Sequence, residues 1–142
     1  MNSNDIDSLL AAARQAQSRA YAPYSGLGVG AAIRTRSGTV YAGCNVENAA
    51  YPVGTCAEAA AVAAMILGGE SEIAEVLIVS DGEAALTPCG ACRQVLSEFA
   101  GAGTAVHAAN RGGVQASFTL GELLPHSFGP ANLPAPEART KK

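Results

Sequence analysis

Tryptophan is absent and aromatic residues make up only 5% of the chain, so any core must be built from Ala, Val, Leu and Ile. The supply is ample, because hydrophobic residues reach 49% and charged residues only 15%. Positive charge is scarce: 9 Lys and Arg stand against 12 Asp and Glu, a formal net charge of −3. Phosphate contacts dominate affinity for polyanions, and no basic stripe is visible, which weighs against nucleic acid as a substrate. Arg139, Lys141 and Lys142 read as a solvated tail. Long apolar runs are also missing; each breaks within about a dozen residues, short of the ~20 that a membrane span needs. The polar stretch 1–7 has no basic flank before an apolar run, so it does not read as a signal peptide. The expected location is the cytoplasm. There the 4 Cys stay reduced and serve metal binding or catalysis rather than disulfides.

What is present fits one compact domain, expected over residues 1–131, with a flexible tail at 132–142. Asn4 is placed to cap a first helix, in which Ile6, Leu9, Leu10 and Ala13 recur at helical spacing. Residues 29–36 and 39–44 read as strands joined by a Ser37-Gly38 turn. A loop over 45–54 precedes an Ala-rich helix from about Cys56 to Leu67, closed by Gly68-Gly69. Residues 74–80 form a buried strand ending at Asp81-Gly82, and a further helix runs from Thr87-Pro88 to about Phe99. Strands at 104–109 and 115–120 follow. Helices alternating with strands after a hairpin predict a mixed sheet covered on both faces.

Three of the four cysteines stand at helix starts. Cys89 and Cys92, in Pro88-Cys89-Gly90-Ala91-Cys92, share one helical turn, so their sulfurs point the same way. Cys56 stands 33 positions earlier in Thr55-Cys56-Ala57-Glu58, enough chain to bring two helix N-termini together. Zinc takes thiolates tetrahedrally at about 2.3 Å, and three protein ligands leave a fourth position for water, the catalytic pattern. Each helix N-terminus, equivalent to roughly half a positive charge, offsets the negative charge of the thiolates. Simpler readings exist for each part. A lone Cys-x-x-Cys is common, free Cys is often a small core residue, and Thr55-x-x-Glu58 matches a capping box serving only its own helix. With both cysteine elements present, catalysis is the better reading of Glu58.

Cys-Ala-Glu followed by Pro-Cys-Gly-x-Cys-Arg-Gln resembles the signature of zinc-dependent nucleoside deaminases, the small homotetrameric cytidine deaminases in particular. The likeness also takes in Tyr24-Ser25, Val29-Gly30-Ala31-Ala32, the segment 43–49, Leu123-Leu124-Pro125 and Phe128-Gly129-Pro130, most of residues 21–131. It implies a three-layer α/β/α sandwich with a mixed five-stranded sheet. It implies one zinc per subunit held by Cys56, Cys89 and Cys92, with Glu58 as proton shuttle. Asn45 and Glu47 would hydrogen-bond the sugar hydroxyls, and the Ala57 backbone amide would hold the base carbonyl. Leu27 would wall the pyrimidine, while Tyr51 and Phe128 would approach a neighbouring subunit's site in a homotetramer. The implied reaction deaminates free cytidine or 2′-deoxycytidine in pyrimidine salvage, with no nucleic-acid or membrane partner.

The chain departs from this pattern twice. Ala59 stands where the family often has Arg donating to the thiolates, so Arg93 or the helix dipoles must compensate. Leu27 replaces the usual Phe, keeping an apolar wall but forfeiting stacking of about 1 kcal/mol. A roomier pocket would admit modified cytidines. The alternatives are a deaminase of the blasticidin S type, a nucleic-acid deaminase, and a non-catalytic zinc-stabilised module. Cys44, His107 and His126 read as structural, and Arg34 and Arg36 as a solvated strand face.

Overall fold

A computed structural model describes residues 3–134; of the tail expected at 132–142, residues 135–142 lie outside the described residues. The first helix, α1, spans Ser3–Gln17, so Asn4 lies within it rather than capping it. Strands β1 (Val29–Thr35) and β2 (Val40–Cys44) form the opening hairpin. Helix α2 covers Ala57–Leu67 with Cys56 as its N-cap, and β3 covers Ile73–Ser80. Helix α3 is shorter than expected, Gly90–Ser97, because the chain through Thr87-Pro88 stays extended up to the Cys89 N-cap. Strands β4 (Ala105–Asn110) and β5 (Gly113–Thr119) complete the sheet. No helix among the described residues is long and apolar enough to cross a membrane.

The sheet order is β2-β1-β3-β4-β5, with β3 and β4 parallel and the other neighbours antiparallel. Burial on both faces of β3 explains its apolar run over 76–79. Val76 and Ile78 join Ala61, Met65 and Leu96 in a core under α2 and α3. Leu77 and Val79 face the other way, against Leu9 and Ala13 of α1. The result is the three-layer α/β/α sandwich over a mixed five-stranded sheet.

The small residues of α2 serve packing against the sheet. A Cβ added to Gly43 would stand 2.5 Å from the Ala61 nitrogen and 2.7 Å from the Ala60 Cβ, so helix and strand touch backbone to backbone. We expect Gly43→Ala to destabilise the fold by about 1–3 kcal/mol through overpacking, measured by urea denaturation.

Two local readings change. Residue 120 belongs to a short helix, α4 (Leu120–Leu123), rather than to β5. Its signal is a capping box: the Thr119 hydroxyl accepts from the Glu122 amide while the Glu122 carboxylate accepts from the Thr119 amide. Arg34 is not a solvated residue. Its side chain is only 18% exposed, and its Nε donates to Glu75 at 2.9 Å, while Arg36 stays exposed beside Glu72. The reason is that Glu75 is buried on the α1 face and needs a partner. His107 supplies a second, with Nε2 3.0 Å from Glu75 and Nδ1 2.7 Å from the Ser117 hydroxyl, so it is a satisfied structural histidine.

Candidate active site and metal centre

The N-termini of α2 and α3 lie side by side because the two helices pack together on one sheet face. Cys56 and Cys89 occupy the two N-cap positions, and Cys92 sits on the first turn of α3. The three sulfurs all lie within 4.8 Å of one another. Tetrahedral bonds of 2.3 Å set sulfurs about 3.8 Å apart, so this donor set fits zinc with little adjustment. No fourth Cys, His, Asp or Glu joins the group among the described residues, so a bound zinc would take three ligands from these cysteines.

Electrostatics favour a cation here. The backbone amide of Cys92 is the largest influence on the Cys89 thiol and holds it below its ordinary range. Burial pushes the Cys56 and Cys92 thiols up, and the neighbouring Glu58 charge adds to this. A divalent cation inverts that balance, since a coordinating thiol is deprotonated outright.

Glu58 is 5% exposed, on the second residue of α2. The capping-box reading fails on geometry: the N-cap is Cys56, not Thr55, and it has no side-chain capping bond. Burial raises the Glu58 carboxyl above the usual carboxylate range, opposed by its own backbone amide and by the Cys92 thiol beside it. A cavity of about 170 Å³ brings Glu58 together with Cys56, Ala57, Cys89, Cys92 and Asn45. A second cavity of about 470 Å³ adjoins it through Cys56 and Asn45 and is lined by Tyr24, Ser25, Glu47 and Tyr51.

Asn45 and Glu47 stand at the junction, already tied to the loop at 24–29. The Asn45 Oδ1 accepts from the Val29 amide at 2.8 Å, and its Nδ2 donates to the Leu27 carbonyl at 2.9 Å. The Glu47 Oε1 accepts the amides of Tyr24 and Ser25 at 2.9 and 3.1 Å. Both side chains therefore brace this loop, and each retains unused polar capacity. Tyr51 stacks edge-on against Tyr24 with ring centroids 6.0 Å apart and is 75% exposed. Leu27 and Phe128, 39% and 58% exposed, line neither cavity within the single chain.

Arg93 does not replace the missing sulfur donor. Its Nε and one terminal nitrogen donate to the carbonyls of Pro88 and Leu123, both at 2.7 Å, and the other to the Thr87 hydroxyl at 3.0 Å. It braces the approach to Cys89 and leaves charge compensation to the helix termini.

Fold and site together define an α/β domain with a three-thiolate metal centre at paired helix N-termini. Residues 3–109 match the family model for the cytidine and deoxycytidylate deaminase zinc-binding region. A cytidine deaminase of Sporosarcina psychrophila is 39% identical over 129 residues, covering 91% of this chain and 95% of that protein. One from Mycobacterium tuberculosis is 40% identical over 130 residues, covering 92% and 94%. Among solved structures, cytidine deaminase from Burkholderia pseudomallei superposes with a TM-score of 0.81 at 39% identity, covering 90% of this chain and 100% of that one. The M. tuberculosis structure gives 0.75 at 39%, covering 87% and 96%. The chain belongs to the cytidine and deoxycytidylate deaminase zinc-binding family, and its metal is zinc.

Proposed function

We propose that this chain hydrolyses free cytidine and 2′-deoxycytidine to uridine and 2′-deoxyuridine, releasing ammonia. The observation that carries this reading is a buried carboxyl, Glu58, beside the three-sulfur centre in a cavity that opens toward Asn45 and Glu47. Cys56, Cys89 and Cys92 are the zinc ligands. When bound, zinc supplies Lewis acidity that makes water a competent nucleophile near neutral pH.

Every other part belongs to the protein. Glu58 takes a proton from the attacking water and delivers protons to the ring nitrogen and to the departing amine, so one water enters and one ammonia leaves. Its burial suits both directions, because a carboxyl with a raised pKa gives up and regains a proton easily. The Ala57 amide, at the first residue of α2, donates to the base carbonyl. Asn45 can donate to or accept from sugar hydroxyls, and the Glu47 carboxylate accepts from them. No Lys or Arg lines either cavity among the described residues, and the Glu47 carboxylate stands in the larger one. That charge pattern favours a nucleoside over a nucleotide, whose phosphate it would repel.

The exposed rings of Tyr51 and Phe128 support a homotetramer in which a second copy covers each site. The single catalytic domain occupies residues 1–131. Zinc-binding thiols must stay reduced, which supports the cytoplasm, and conversion of a cytosine to a uracil nucleoside supports a place in pyrimidine salvage. A non-catalytic zinc module has no use for a buried carboxyl beside its metal.

The test is an ultraviolet assay of the zinc-replete protein across cytidine, 2′-deoxycytidine, base-methylated cytidine and cytidine monophosphate. The expected result is turnover of the first two with one ammonia per nucleoside. Exclusive turnover of the monophosphate, or none of any substrate, overturns the reading.

A further inference from the structure

One loop residue without an assigned role joins the two halves of the site. The Ser25 hydroxyl donates to the Glu47 Oε2 and accepts from the Leu27 amide at 3.0 Å. The Leu27 carbonyl in turn receives the Asn45 side-chain amide at 2.9 Å. The bonds thus run from Glu47 through Ser25 and Leu27 to Asn45, and Asn45 and Glu47 are two residues apart on the strand side of the same loop. Within that arrangement the two carboxylate oxygens differ. Oε1 is held by two backbone amides, whereas a single side-chain hydroxyl holds Oε2. Oε2 is therefore the oxygen whose orientation rests on one removable group. Glu47 and Ser25 both line the larger cavity, so a ligand hydroxyl entering there meets a carboxylate already oriented.

We propose that Ser25 is a positioning residue for nucleoside recognition, presenting the Glu47 carboxylate to the sugar hydroxyls and tying that recognition to the peptide of Leu27. The inference rests on the reading of Glu47 as a sugar ligand. Ser25 is exposed, and its hydroxyl contributes to no core, so its loss acts through Glu47 and Leu27 rather than through folding. Ser25 is also the largest influence holding the Glu47 carboxyl below its usual range, which keeps it an anionic acceptor. A preoriented acceptor strengthens binding of the sugar in ground and transition state alike, so its loss raises KM more than it lowers kcat.

The experiment compares Ser25→Ala, Ser25→Thr and wild-type zinc enzyme on cytidine and on 2′,3′-dideoxycytidine, the latter as substrate or competitive inhibitor. Ser25→Ala is expected to raise KM for cytidine about tenfold, the scale of one lost hydrogen bond to a charged group. For the dideoxy compound its KM or inhibition constant should match wild type, because neither the 2′- nor the 3′-hydroxyl remains for Glu47 to hold. Ser25→Thr, which keeps the hydroxyl, should restore cytidine KM. An equal KM increase on both compounds identifies a merely structural loop residue and overturns the proposal, as does an unchanged cytidine KM. Wild-type enzyme that handles both compounds equally well overturns the sugar-ligand reading of Glu47 itself, and the Ser25 proposal with it.

Discussion

Glu58→Gln is expected to lower kcat on cytidine by roughly 10²–10⁴-fold, the usual contribution of a positioned acid–base group. Zinc content and melting temperature should stay close to wild type. Glutamine fills the same buried volume and keeps one oxygen to accept the bonds that Glu58 accepts, so neither packing nor the sulfur cluster is disturbed. What disappears is a proton that can be taken up and returned. A capping role would have given the opposite result, a lower melting temperature with turnover intact, but Cys56 holds the N-cap and Glu58 lies beyond it. Metal analysis, circular dichroism and steady-state rates on one preparation check all three statements. Near-normal turnover in Glu58→Gln would remove Glu58 from the chemistry.

Cys92→Ala is expected to abolish both stoichiometric zinc and turnover, and so to differ from Glu58→Gln in metal content and in its melting response to zinc. Cys92 is the buried member of the trio, and burial pushes its thiol up. Only a cation with strong affinity for sulfur keeps such a thiol deprotonated, and two remaining sulfurs are a poor site for it. Bound zinc also stabilises the folded chain by mass action, about 2.7 kcal/mol at a hundredfold excess over Kd. The variant should therefore melt at the same temperature with and without added zinc, while wild type melts higher with it. Full zinc occupancy in purified Cys92→Ala would show that the centre is built from other donors.

Charge compensation for Ala59 is expected from the backbone. Two helix N-termini face the sulfurs, and the Cys92 amide acts directly on Cys89. The nearest guanidinium has other work: Arg93 joins the loop before Cys89 to the carbonyl of Leu123, at the end of α4.

Short-range chemistry was legible in the residues themselves. Cys89 and Cys92 announce a shared ligand turn because their spacing is one helical turn. The opening hairpin is announced by Ser37-Gly38, and the β3 strand by an apolar run bounded by Asp81-Gly82. The capping box at Thr119 and Glu122 was equally local, and its pattern stood in the sequence to be read. Only the tertiary structure decided that Glu58 is buried beside sulfur rather than capping α2, and that Arg34 turns inward to a buried Glu75. It alone brought Asn45 and Glu47 against the loop at 24–29 through Ser25. The physical reason is range. Spacing and turn chemistry act over a few residues, whereas burial and partner choice depend on which distant segments the sheet order brings together.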